Sequence, residues 1–314
     1  MARKIIIDCD PGQDDAVALF LAFASPDELD LLGITTVAGN VPLDLTQRNA
    51  RLMCDIASKH DVPVYAGCAE PMSRALRTAE MIHGATGING IEVFEPETPL
   101  QAEHAVDYII RTLLAADETS VTLVPVGPLT NIATAIDREP AILPHIEQIV
   151  LMGGAMREGG NRTPSAEFNI LVDPDAANIV FKCGRPITQM GLDVTHQVLS
   201  TEDRVARIRA LQNPVATATA DMLSFFDRFD TKKYTSKGAP LHDPCTIAWL
   251  LKPELFEGKE CNVSVETGSE LTMGHTAVDF WQVTDRPINV NWIYSVDAGG
   301  FYDLLVERLD RFGA

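Results

Sequence analysis

The stretch Lys4-Ile5-Ile6-Ile7-Asp8-Cys9-Asp10-Pro11-Gly12-Gln13-Asp14-Asp15-Ala16-Val17-Ala18-Leu19 decides the fold. Ile5, Ile6 and Ile7 form a continuous β-branched run of the kind that fills a buried parallel strand, and Pro11-Gly12 breaks it before helical spacing begins at Ala16. Asp8, Asp10, Asp14 and Asp15 therefore share one strand-to-helix turn. The positive end of the helix dipole favours Asp14 and Asp15, yet four like charges this close repel and call for a positive partner. Oxygen-only donors suit a hard cation, Ca²⁺ or Mg²⁺, whereas a softer metal would want His or Cys among them. A capped, solvated helix start accounts for Asp14 and Asp15 without any metal, but it leaves Asp8 and Asp10 unexplained.

Outward from that turn, β and α patterns alternate. Ala16, Leu19, Phe20 and Phe23 recur at helical spacing up to Ser25-Pro26, and residues 31–38 and 63–66 read as strands around a helix at 45–59. A helix at 102–115 and strands at 121–126, 148–152 and 187–191 continue the series, with Pro128 placed as a first helical residue. The alternation predicts an α/β fold with a mostly parallel, Rossmann-like central sheet flanked by helices, which binds ligands at the carboxyl ends of its strands. Each of these strands stops at Gly, Asn or Asp, so polar groups gather along the edge where Asp8 and Asp10 emerge. The C-terminal third, with strands at 263–265 and 290–293 and a helix at 301–309, reads as structural. No linker, repeat or low-complexity segment interrupts the chain, which predicts one domain over 1–314.

Three further segments concentrate chemistry. Residues 68–101 form a long aperiodic stretch with His83 beside several glycines, the kind of loop that approaches a ligand closely, although a plain surface histidine fits equally well. A second loop, 159–169, offers Asn161, Glu167 and Asn169, one carboxylate and two carboxamides suited to a hydroxyl-rich ligand; ordinary turn chemistry also uses such residues. Phe168 lies among them and is as readily a core aromatic as a pocket wall. Beyond the helix at 214–228, a loop carries Tyr234, and His242-Asp243 opens an apolar helix; capping explains Asp243 but not the histidine beside it.

With 25 Lys and Arg against 44 Asp and Glu in 314 residues, the net charge is −19, which disfavours nucleic acid and anionic membranes as partners. The six cysteines are scattered, without C-x-x-C or finger spacing, as expected of reduced thiols in a cytoplasmic protein. The N-terminus leaves no room for a signal-peptide core and no apolar stretch approaches membrane-span length.

An EF-hand loop starting at Asp8 would need Gly and Glu where Gln13 and Leu19 stand. The Asp8-x-Asp10 pair resembles haloacid-dehalogenase phosphatases, though Gly12 occupies the position where that signature carries Thr or Val. The whole set, Asp8 to Asp15, Ala38-Gly39-Asn40, Glu167-Phe168-Asn169 and His242-Asp243, resembles in order the inosine-uridine preferring nucleoside hydrolases. That resemblance implies an N-ribohydrolase that binds one Ca²⁺ through Asp10, Asp15, Asp243 and the Val126 carbonyl. Asp10 would also be the general base, acting on a water whose pKa the cation lowers. Asp14, Asn40, Met152, Asn161, Glu167, Asn169 and Asp243 would hold the ribose, with Asp8 a supporting carboxylate. His242 would protonate the leaving base if neighbouring carboxylates keep it partly charged, with His83 and Tyr234 as partners over the base. His83 with His242, and the run 123–131, resemble the pyrimidine-preferring members, giving uracil or cytosine plus ribose; Tyr234 also suits inosine. The resemblance further implies a homotetramer or dimer and a role in nucleoside salvage. Gln13 occupies a variable position and decides nothing about base preference.

Overall fold

The computed structural model describes residues 2–234 and 238–313, and the side chains of all of these except 226–234. The chain begins with β1 (Arg3–Cys9) and α1 (Gln13–Phe23), then β2 (Leu29–Thr36), α2 (Leu43–Ile56), β3 (Val64–Ala66), α3 (Glu80–His83), β4 (Leu100–Gln101), α4 (Ala105–Ala115), β5 (Val121–Pro125) and α5 (Thr130–Arg138). It continues through β6 (Ile146–Met152), α6 (Phe168–Val172), α7 (Pro174–Phe181), β7 (Ile187–Met190), α8 (Leu192–Thr195), β8 (Leu199–Ser200), α9 (Glu202–Arg209) and α10 (Pro214–Tyr234). It closes with β9 (Ala239–Pro240), α11 (Pro244–Leu251), β10 (Phe256–Val265), β11 (Thr276–Asp279), β12 (Val290–Val296) and α12 (Ala298–Asp310).

Ten strands form one sheet in the order β11-β10-β12-β7-β6-β5-β1-β2-β3-β4. The pairs from β12 to β4 are parallel, and only β10 runs antiparallel to its neighbours β12 and β11. The expected mostly parallel sheet is therefore present. From β1 the chain steps outward one way through β2, β3 and β4, then returns to β5 on the other side and steps away through β6 and β7. That reversal makes the carboxyl edge between β1 and β5 the crevice where α/β sheets bind ligands.

Side-chain alternation along β1 explains how both faces are covered. Ile5, Ile7 and Cys9 belong to one apolar cluster with α1, α2, α11 and α12, while Ile6 belongs to the other with α4, α5 and α7. Burial on both faces is why this strand reads as an unbroken apolar run rather than an alternation.

The expectations miss in one place. The segment 68–101 carries the short helix α3 and the two-residue strand β4, too short to leave a periodic pattern. In the C-terminal third, Thr276 at the start of β11 accepts from the N–H of Ala155 at 2.9 Å and donates to its carbonyl at 2.7 Å. His275 contacts the Ser165 carbonyl at 3.2 Å, so the outer hairpin braces the 153–167 segment.

Candidate active site

Asp10 is the first residue past β1, and Val126 the first past β5, tied by Val126 N–H to the Asp8 carbonyl at 2.8 Å. The Asp10 carboxylate accepts through Oδ2 from Asn40 N–H at 2.6 Å, while Oδ1 is buried with no hydrogen-bond partner among the described residues. Space for it comes from two glycines: a Cβ built on Gly39 would stand 2.1 Å from Oδ2, and one on Gly127 would stand 2.4 Å from Oδ1.

Asp15 reaches back from the third position of α1. Its oxygens accept from Asp10 N–H (3.1 Å) and Gly12 N–H (2.9 Å), fixing the turn between strand and helix. Asn40 joins the two, donating from Nδ2 to the Asp10 carbonyl (3.1 Å) and to Asp15 (3.2 Å). Asp14, Asp15 and Asp243 each bring a carboxylate oxygen within 4.8 Å of the others, all buried. Asp8, fully buried, accepts from Thr35 (2.6 Å) and from Asn131 Nδ2 (2.8 Å) and stays behind this group.

Burial sets the electrostatics. It pushes Asp15 up to about 6 and Asp8 to about 7, and it raises Asp10 and Asp243 well above the carboxylate range, with the neighbouring aspartates adding repulsion. Buried acids so crowded, all with oxygen donors and one with an orphaned oxygen, fit a divalent cation. The expected ligands Asp15 and Asp243 are brought together; Asp14, expected to hold ribose, is the third member of that carboxylate set, while Asp10 lies beside it. The Val126 carbonyl accepts from Asn169 Nδ2 at 2.8 Å, which leaves its second lone pair for a further partner.

Above this group opens a cavity of about 300 Å³. Its lining includes Asp14, Asn40, His83, Val126, Met152, Asn161, Glu167, Phe168, Asn169, His242 and Asp243, so nearly all the expected site residues converge; Asp10 and Asp15 are buried behind it. The side chain of Tyr234 lies outside the described residues. Glu167 caps α6 and accepts from the N–H groups of Gly154 (2.9 Å), Asn169 (2.8 Å) and Ile170 (3.2 Å), yet burial still pushes it up to about 7. Asn161 accepts from Phe168 N–H at 2.9 Å, fastening the loop to the same helix.

Gln13 reaches the same wall: its Oε1 lies 2.7 Å from His83 Nδ1, and its Nε2 donates to the carbonyls of His83 and Asn89, each at 3.0 Å. His242 Nδ1 is 2.7 Å from Thr195 Oγ1, and burial followed by the nearby His196 and His83 lowers its pKa to about 3. Burial likewise lowers His83 to about 4. The sequence reading also passed over His196 and Arg162, which line the cavity too. Thr195-His196 sits just past β7 on the carboxyl edge, the position that should have flagged it.

A doubly flanked parallel sheet with buried carboxylates, carboxamides and histidines around a cavity at its switch point has the make-up of an α/β enzyme site. The family profile of inosine-uridine preferring nucleoside hydrolases matches residues 5–303, and the chain belongs to that family. It is accordingly a ribonucleoside hydrolase, an N-ribohydrolase. The chain is 50% identical to the pyrimidine-specific ribonucleoside hydrolase RihA of Photobacterium profundum over 313 residues, covering 99% of this chain and 100% of that one. An uncharacterized protein of Schizosaccharomyces pombe is also 50% identical, over 98% of this chain and 99% of its own. Among solved structures, the purine-preferring ribonucleoside hydrolase from Gardnerella vaginalis matches with a TM-score of 0.91 at 33% identity, covering 99% of each chain. No described helix is long and apolar enough to cross a membrane.

Proposed function

We propose that the chain hydrolyses the N-glycosidic bond of pyrimidine ribonucleosides, uridine and cytidine, to ribose and free base, with inosine as a secondary substrate. The observation that carries the reading is the meeting, in one cavity, of a carboxylate floor and a histidine wall. The 50% identity to pyrimidine-specific enzymes, against 33% to a purine-preferring one, supports the base preference.

Asp10, Asp15, Asp243 and the Val126 carbonyl, with Asp14 adjoining, would hold one Ca²⁺. When bound, such a cation lowers the pKa of a coordinated water and attracts the ribose diol. Asp10, positioned by Asn40 N–H, takes a proton from the attacking water. Asp14, Asn40 and Asp243 face the 2′ and 3′ hydroxyls, while Asn161, Glu167 and Asn169 orient the rest of the sugar beside Met152 and Phe168. As the C1′–N bond lengthens, positive charge grows on C1′ and O4′, and the anionic floor stabilises it. His242, with its Nδ1 against Thr195 Oγ1, gives the departing base its proton, with His83 and Tyr234 as partners over the base.

One domain over 1–314, a homo-oligomer of two or four copies, a cytoplasmic location and a salvage role complete this reading; the single ten-stranded sheet supports the first and the family resemblance the others. The test is ribose release from uridine, cytidine, inosine and adenosine, with Ca²⁺ and after chelation, using Asp10→Asn as control. Chelation-sensitive release from uridine and cytidine, lost in the variant, is expected. Activity that survives chelation would remove the metal from the reading, and faster release from purines would reverse the base preference.

A further inference from the structure

The segment that follows β7 reaches His242 twice, once through its backbone and once through its ring. Past α8 the chain enters β8, which pairs antiparallel with β9 through Leu199 opposite Pro240 and Ser200 opposite Ala239, and Leu241 N–H donates to the Val198 carbonyl at 2.8 Å. These bonds settle the backbone that leads into His242. They leave the ring itself free to turn about its two side-chain bonds. The ring is held separately, by Oγ1 of Thr195, the last residue of α8, which lies 2.7 Å from its Nδ1.

Thr195 is well fixed for that task. Leu192 N–H, at the start of α8, donates to the Gly154 carbonyl at 2.8 Å, and Asp193 accepts from the N–H groups of Met156 and Arg157 at 2.7 Å each. The Thr195 side chain is fully buried, and among the described residues its hydroxyl has one partner, the ring of His242. With Nδ1 engaged there, Nε2 is the nitrogen that the ring presents to a ligand in the cavity that His242 lines. Once Nε2 has given up a proton, the neutral ring keeps its other proton on Nδ1, and the threonine oxygen can accept it before and after the transfer. A hydroxyl does this without bringing a charge to the wall.

We propose that Thr195 is a positioning residue of the reaction, which aims the Nε2 proton of His242 at the departing base. The proposal rests on the ribonucleoside hydrolase reading above. The C1′–N bond breaks with its electron pair left on the base nitrogen, which takes the Nε2 proton of His242, while the Nδ1 proton stays in the hydrogen bond to Thr195 Oγ1. Water adds its hydroxyl to C1′ and gives its other proton to Asp10. Solvent then returns a proton to Nε2 and receives one from Asp10, so the net reaction consumes one water and releases ribose and neutral base.

The test compares kcat on uridine with kcat on p-nitrophenyl β-D-ribofuranoside, whose nitrophenolate departs without a proton, for the wild type, Thr195→Val and Thr195→Ser. Thr195→Val keeps the branched shape and removes the hydroxyl; it should lose about ten- to a hundredfold on uridine while the aryl riboside rate stays near wild type. Thr195→Ser, which restores the hydroxyl, should recover most of the uridine rate. Added to His242→Gln, Thr195→Val should lower uridine turnover no further, because the threonine acts through that ring. Wild-type uridine turnover in Thr195→Val overturns the proposal, and so does an equal loss on both substrates, which would make the residue structural. A serine variant as slow as the valine one, or a further loss in the double variant, overturns it as well. A wild-type enzyme that releases ribose from neither substrate overturns the hydrolase reading itself, and the proposal with it.

Discussion

Gln13 Oε1 lies 2.7 Å from His83 Nδ1 across 70 positions of sequence, and the direction of this hydrogen bond is fixed. Because Gln13 Nε2 is committed to two carbonyls, its Oε1 must accept, so Nδ1 of the neutral His83 carries the proton and Nε2 offers a lone pair. Gln13→Ala should strand the carbonyls of His83 and Asn89, costing about 1–3 kcal/mol of stability, and should lower kcat/KM by loosening His83. Urea unfolding and steady-state kinetics on uridine check both; a variant as stable and as active as the wild type would show that the contact is incidental.

The position of Asp10 depends on the absence of two side chains. In Gly127→Ala the new Cβ would meet Oδ1 at 2.4 Å, so the carboxylate must move. A displacement of about 1 Å in a reacting group costs on the order of a hundredfold in rate. Gly127→Ala should thus approach the inactivity of Asp10→Asn while keeping a wild-type circular dichroism spectrum, and calorimetry should find weakened Ca²⁺ binding.

Acid should weaken the fold through His83. Its pKa is lowered to about 4 from the ordinary 6.5, so between these values the unfolded chain binds the extra proton and stability rises with pH. The contribution, about 3 kcal/mol, is complete above pH 6.5 and lost as pH falls toward 4. Denaturation of the wild type and His83→Asn should show the wild type losing this much relative to the variant across that interval; a gap independent of pH would refute the assignment.

Glu167 should act in the opposite sense. Burial raises it from 4.5 to about 7, so the folded chain holds the extra proton and stability falls as pH rises through that interval. Relative to Glu167→Gln, the wild type should lose about 3 kcal/mol between pH 4.5 and 7. The same substitution offers one amide oxygen to three backbone donors, so ribose binding by calorimetry should weaken as well.

The fold was legible where a residue's own neighbours in sequence decide its structure. Three isoleucines followed by Pro11-Gly12 announce a buried strand and a turn, and Asp15 capping its own helix is a local matter. The site was legible as a set of residue types collected at strand ends. Partnerships across the chain were hidden: no sequence pattern says that Gln13 meets His83, that Thr195 meets His242 or that Glu158 meets His196. The strands near 263 and 290 were visible, but the insertion of β12 between β7 and β10 depends on tertiary pairing and not on local pattern.

The carboxylate floor draws Asp14 and Asp15 from the first helix and Asp243 from the entrance to the eleventh. During synthesis, the earlier acids must wait for more than two hundred further residues before their partner arrives. A growing chain can build the β1–α1 turn early, yet it holds no complete nucleoside site until α11 docks.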